Sequence, residues 1–175
     1  KKENGQNPIL NYIKNSNADI VCMQEYAGSE TAKIHLSNKE IRQALKDYPY
    51  HNIKQVGKTG AGSQLACYSK FPILSARMLD YRSNYNGSMV YEIKIGKDTV
   101  LLINNHLESN KLTREDKVVY EDMLKDPKAG KVKSGVRQLV NKLAEASAIR
   151  SAQARTIAQE IAHSPYPSVI VCGDF

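Results

Sequence analysis

The chain has 175 residues, 41% hydrophobic and 25% charged, a length and balance that suit one globular domain burying about two-thirds of its unfolded surface. No apolar run reaches the ~18 residues of a membrane-spanning helix, and no apolar signal core follows Lys1. The formal net charge of +7 excludes a strongly acidic surface and suits an anionic partner, because Lys and Arg neutralise phosphates.

Pro8 ahead of Ile9, Leu10 and Ile13 predicts a helix with Pro in its first turn, ended by Asn15 to Asn17. Residues 18–25 form a continuous apolar run closing on Gln24-Glu25, the pattern of a buried strand. Residues 29–38 are polar and aperiodic, a predicted loop, and Ile41, Ala44, Leu45 and Tyr48 then recur at helical spacing before Pro49. Strand signals follow at 51–56, at 64–69 and from Pro72 through Leu79, with a glycine-bearing turn predicted at 57–62. Residues 88–95, the turn Gly96-Lys97-Asp98 and residues 99–106 predict a hairpin. Dense hairpins favour mixed, mainly antiparallel sheets.

Thr113 predicts a helix N-cap, with Glu115 and Asp116 suiting the dipole. Helical spacing runs to Leu124, breaks at Asp126-Pro127 and resumes from Val132 through Ala162. The second helix places Leu143, Ala146, Ile149, Ala152 and Ile157 on its apolar stripe. Residues 168–172 are a last apolar strand. Cys22, Cys67 and Cys172 each sit in a strand-like run, and their odd count, wide spacing and lack of a CxxC pattern indicate reduced, buried thiols.

Three strand ends carry the chemistry: Gln24-Glu25, Asn104-Asn105-His106 and Gly173-Asp174. Strand ends fix the backbone while reaching solvent, so ligands gather there in layered α/β proteins. A lone carboxylate in such a place is commonly a solvated cap, but Glu25, His106 and Asp174 together supply oxygen ligands for a hard cation and a proton-handling imidazole. Asn104 shares a strand face with His106 and reads equally well as a backbone-satisfying amide. Arg150 and Gln153 share a helix face, where packing or a bond to a neighbouring loop is the simpler reading. The Lys/Arg-bearing stretch from Lys111 through Arg155 reads as a solvated helix face before it reads as a phosphate track. His35, His51 and His163 carry no assigned role, and Glu92 matches no motif that would pair it with His106.

Read in order, these segments resemble the endonuclease/exonuclease/phosphatase family. Residues 19–25 are similar to its first metal motif, and Asn104-Asn105-His106-Leu107-Glu108-Ser109 to its Asn-Thr-His-Leu motif, in the His-Leu-Glu-Ser form of the tyrosyl-DNA phosphodiesterase branch. Gly173-Asp174-Phe175 resembles the opening of its Gly-Asp-Phe-Asn motif, and Ser69-Lys70-Phe71-Pro72-Ile73 its Ser-Arg-Tyr-Pro-Ile hairpin, with Lys for Arg. Arg150 and Gln153 match a recurrent Arg-x-x-Gln pair. The resemblance implies a partial four-layer α/β sandwich over residues 1–175, a single incomplete domain, supplying the first sheet, the covering helices and the first strand of the second half.

The resemblance also implies roles. Glu25 would hold Mg²⁺ or Mn²⁺, His106 would bind the scissile phosphate, and Asp174 would orient or deprotonate the attacking water. The implied activity is phosphodiester hydrolysis with nucleic acid as the leading substrate. A phospholipid or sphingomyelin phosphodiesterase and a non-catalytic binding module are the alternatives. Membrane contact by this segment is not expected, because no apolar hairpin for it is seen. The family's first strand and its last Asp and His would lie outside 1–175. The expectations are therefore that this chain alone turns over no substrate and that an uncovered sheet drives self-association. Bacterial relatives are often exported or tethered through a preceding segment.

Overall fold

A computed structural model describes residues 7–28, 36–56, 64–81, 83, 85–110, 112–125 and 130–175, with the backbone alone for 130–134. The predicted turn at 57–62, most of the loop at 29–38, His35, and Lys111, Lys128, Lys131 and Lys133 lie outside what is described there.

Helix α1 (Pro8–Ser16) opens where the Asn7 side chain accepts from the backbone N–H groups of Ile9 and Leu10, and it closes on Asn17 at φ 49°. Strand β1 spans Ile20–Tyr26. Helix α2 (Asn38–Ala44) starts in a capping box between Ser37 and Glu40 and stops at Leu45, earlier than the spacing predicts, though Leu45 and Tyr48 stay buried. Strands β2 (Tyr50–Gln55), β3 (Gln64–Ser69), β4 (Ile73–Met78), β5 (Gly87–Ile95) and β6 (Asp98–His106) follow, with Gly96 at φ 61° in the β5–β6 turn. Helices α3 (Arg114–Lys125) and α4 (Gly130–Ala162) lead to strand β7 (Ser168–Asp174). The Asp116 carboxylate receives the Lys142 Nζ at 2.6 Å, which ties α3 to α4 and holds that carboxyl below its usual range.

Alternation along the strands sorts the core into three slabs. Ala66 and Tyr68 of β3 face Ile13 of α1 and Ile41 and Leu45 of α2. Leu65 and Cys67 face the other way, onto Met89, Tyr91 and Ile93 of β5 and Leu102 of β6. Val90, Leu101 and Ile103 in turn meet Ile157 of α4. Helices, sheet, sheet and helix therefore stack as four layers, the α/β sandwich with mainly antiparallel sheets that the sequence predicts.

Strand partition departs from expectation. One sheet has the order β1-β3-β2 and the other β4-β5-β6-β7, so the chain contributes to both sheets rather than completing one. Residues 64–69 and 73–78, expected as a hairpin, do not pair: β3 pairs with β1 and β2, whereas β4 pairs with β5. The reason lies in the short connection. Lys70 N–H bonds Asp19 O in the first sheet, while Pro72, which has no N–H to donate, accepts from Lys94 N–H in the second. The chain changes sheets between them. Lys70 Nζ also reaches Asp19 Oδ1 at 3.1 Å and lies over the Tyr48 ring, so Lys serves where the resembled motif has Arg. On the β7 side Ile170, Val171 and Phe175 leave apolar surface uncovered, and Leu74 and Met78 do the same on β4.

On α4 the buried stripe runs through Leu139, Ala146, Gln153 and Ile157, with Ala152 exposed. Ala152, predicted on the stripe, is exposed because the neighbouring Gln153 takes the buried position, as the packing reading of that residue predicts. Between the sheets, the Tyr91 hydroxyl is buried and finds no partner among the described residues. Tyr91→Phe is therefore expected to raise stability by about 1–2 kcal/mol, seen as a higher urea midpoint at unchanged slope. A loss of stability instead would mean that the hydroxyl has a partner.

Candidate active site

Strict alternation would send Glu25 away from the gap between the sheets. Ile20 and Cys22 face that gap, whereas Val21 and Met23 face the helices, so Glu25 belongs by parity on the helix side. A bulge prevents this. Met23 pairs with Ala66 and Tyr26 with Gln64, leaving Gln24 and Glu25 opposite Leu65 alone. Tyr26 returns to the helix side, and Glu25 is held at φ 51°, a left-handed conformation that costs a non-glycine residue of order 1 kcal/mol. Its carboxylate is exposed, with Oε1 4.0 Å from His106 Nε2.

Gln24 points into the gap and donates from Nε2 to Asn104 Oδ1 at 2.6 Å, and Asn104 Nδ2 donates to Ala66 O at 3.3 Å. Asn104 is fully buried and bridges the two sheets just below the site. Two residues on and on the same face, His106 is mostly buried, and its Nδ1 finds no described partner. The ring is thus open toward Glu25 through Nε2.

Strand β7 runs parallel to β6 with Asp174 in register with His106, on strands ~4.8 Å apart. Leu107 N–H closes the pair by donating to Asp174 O at 2.9 Å. Gly173 makes this approach feasible. Its φ is 137°, and a Cβ there would lie 2.0 Å from Asn105 O. Asn105 faces α4 and donates to Cys172 O, while its Oδ1 accepts from Ser88 Oγ, itself 2.6 Å from the Tyr81 hydroxyl. Glu25, His106 and Asp174 thus lie toward the ends of three separate strands, with Glu25 4.0 Å from His106 and Asp174 in backbone register with it.

Other predicted candidates fall elsewhere. Arg150 Nη1 donates to Glu108 O and Asn110 Oδ1, and Gln153 Oε1 accepts from Glu108 N–H, so both hold the segment after His106. Glu92 lies on the α4 face with Val90; burial, then the Glu92 carboxylate, pushes the Tyr166 hydroxyl up. His51 stacks on Tyr68, and His163 Nδ1 meets Gln159 O. The three cysteines are free. The bond between the Cys172 and Cys22 thiols, then burial, pushes the Cys172 thiol well above its ordinary value, so it is a poor thiolate source. Asn86 was not anticipated. It reaches Leu107 O with Nδ2 at 2.8 Å, and its only sequence signal is a polar residue beside Gly87 at a strand start.

A hard divalent cation fits what is present only in part. Among the described residues no group of three or more His, Cys, Asp or Glu converges on one point. Mg²⁺, however, keeps several waters and takes one or two carboxylates, and the exposed, outward-held Glu25 supplies that chemistry.

The profile of the Endonuclease/Exonuclease/phosphatase family matches residues 3–175. No curated protein matches the sequence. Among solved structures, a D. rerio TDP2 humanized by 14 mutations superposes with a TM-score of 0.56 at 16% identity, covering 95% of this chain and 52% of that one. A D. rerio TDP2 complexed with a single-strand DNA product gives 0.55 at 14%, with coverages of 95% and 51%. SmcL gives 0.51 at 16%, with 90% and 50%. The chain thus spans about half the length of these structures, whose likeness shows the fold. With the profile matching nearly every residue, the chain belongs to the endonuclease/exonuclease/phosphatase family.

Proposed function

We propose that the protein carrying this chain is a divalent-metal-dependent phosphodiester hydrolase acting on nucleic acid. The observation that supports it most is the bulge that turns Glu25 out of its alternation to within 4.0 Å of His106, at the rim where Asp174 pairs with β6. The single-strand DNA product in one matched TDP2 structure supports the substrate class.

In this reading Glu25, with waters, holds Mg²⁺ or Mn²⁺, which when bound draws charge from a phosphoryl oxygen. His106 offers Nε2 to the scissile phosphate and, as imidazolium, offsets charge on the pentacoordinate phosphorus. Asp174 orients the attacking water and takes its proton as the new P–O bond forms and the ester P–O bond breaks. The buried Asn104–Gln24 bridge keeps the two sheets in fixed register beneath the reacting groups.

Residues 1–175 alone are expected to turn over no substrate, since they span half of the matched structures. The full-length protein is expected to cleave bis-p-nitrophenyl phosphate and a labelled single-stranded oligonucleotide with Mg²⁺, to lose at least about 10²-fold in EDTA, and to leave sphingomyelin vesicles intact. Cleavage of sphingomyelin but not the oligonucleotide would replace the substrate class. Hydrolysis of none of the three would sink the enzyme reading and favour a binding module.

A further inference from the structure

We propose that Gln153 of α4 is a positioning residue for His106, acting through the peptide that follows it; this rests on His106 as the phosphate-binding group. Beyond β6 the chain leaves the sheet, where a strand end would ordinarily be free to move. Here each backbone polar group of Leu107 and Glu108 is taken by a separate side chain or strand. Leu107 N–H donates to Asp174 O, and Leu107 O accepts from Asn86 Nδ2. Glu108 N–H donates to Gln153 Oε1 at 2.9 Å, and Glu108 O accepts from Arg150 Nη1 at 2.9 Å. Leu107, Glu108, Asn86 and Gln153 are all buried.

Two further observations make Gln153 the informative member. Its side chain is almost completely buried on the stripe of α4, yet its Nε2 finds no partner among the described residues. A leucine would fill that stripe without burying an unsatisfied donor, so what the amide adds is an acceptor aimed at Glu108 N–H. The second observation is the His106 ring. Imidazoles in working sites are commonly oriented by a bond to the second ring nitrogen, and Nδ1 of His106 has no described partner. Its orientation then comes from the backbone on either side, and the Gln153 bond fixes the peptide one residue beyond it.

The test is made in the full-length protein with Gln153→Leu, which removes the acceptor, and Gln153→Glu, which keeps an oxygen at the same reach. Leu139→Ala, elsewhere on α4, is the stability control. Gln153→Leu is expected to lower kcat on bis-p-nitrophenyl phosphate with Mg²⁺ by about 10–100-fold, with KM within about threefold, because a displacement of ~1 Å costs on that scale. Gln153→Glu is expected to recover most of that loss. Leu139→Ala is expected to lower Tm while leaving kcat unchanged well below it. If Gln153→Leu does not fold, Gln153→Met replaces it. A kcat within twofold of wild type in a variant lacking the acceptor overturns the proposal.

Should the wild-type protein hydrolyse no phosphodiester, the functional reading fails first. Positioning is then judged without turnover, from the His106 Cε1–H resonance. A shift or broadening in Gln153→Leu but not in Leu139→Ala sustains it, and an unmoved resonance overturns it.

Discussion

Glu25→Gln in the full-length protein is expected to lower kcat/KM for a phosphodiester by about 10³-fold or more, equivalent to ~4 kcal/mol of transition-state stabilisation. The substitution keeps the shape and the hydrogen-bonding reach of the side chain and removes only its charge. A hard cation that keeps most of its water depends on that charge for binding, so Mg²⁺ affinity measured by calorimetry falls with activity. Fold stability is expected to change little, because the carboxylate is exposed and its contact with His106 is long. Glu25→Gly separates strain from chemistry. It relieves the left-handed backbone at φ 51° and is expected to raise stability by about 1 kcal/mol while abolishing hydrolysis. A Glu25→Gln protein retaining more than about a tenth of wild-type activity would remove Glu25 from the cation site.

Gly173→Ala has the largest expected effect on the fold, about 2–5 kcal/mol of destabilisation. Two costs coincide there: the residue sits at φ 137°, and a Cβ would press on the Asn105 carbonyl, which is backbone and cannot rotate away. The β6–β7 pairing must open at its last two rungs, which moves Asp174 off its register with His106. Faster exchange of the Leu107 amide, whose acceptor is Asp174 O, reports the opening directly. Gly96→Ala is the comparison. It too has positive φ, at 61°, but nothing lies within 4 Å of the added Cβ, so only about 1 kcal/mol is expected. If the urea midpoints of the two variants fall together, the close approach of β6 and β7 is not what position 173 protects.

Much of the layered fold was legible because its signals are local. The apolar runs at 18–25, 64–69, 99–106 and 168–172 each became strands, and Pro8 and Gly96 marked element ends where they act. The allotment of strands to sheets was not legible. It turns on which sheet claims the Lys70 N–H and the Pro72 carbonyl, and both partners are distant in sequence. The site was legible in its residue types and illegible in its geometry. Parity sends Glu25 to the wrong face, and only the extra residue opposite Leu65 corrects it. Gln153 was legible as a residue for packing or a bond to a neighbouring loop, but not which loop, since Glu108 is distant in sequence.

Helix α4 has 33 residues, ~50 Å of helix, whereas β7 beneath it has seven, ~23 Å of strand. Gln153 marks the level at which the helix passes the strand ends, so the twenty-odd residues ahead of it overhang the sheet as an arm, braced by α3 through Lys142 and Asp116. If the proposed function holds, a polymeric substrate at His106 would have this arm along one flank. On the proposed function, trimming the arm short of Arg150, which holds Glu108 O, is expected to alter which substrates are admitted.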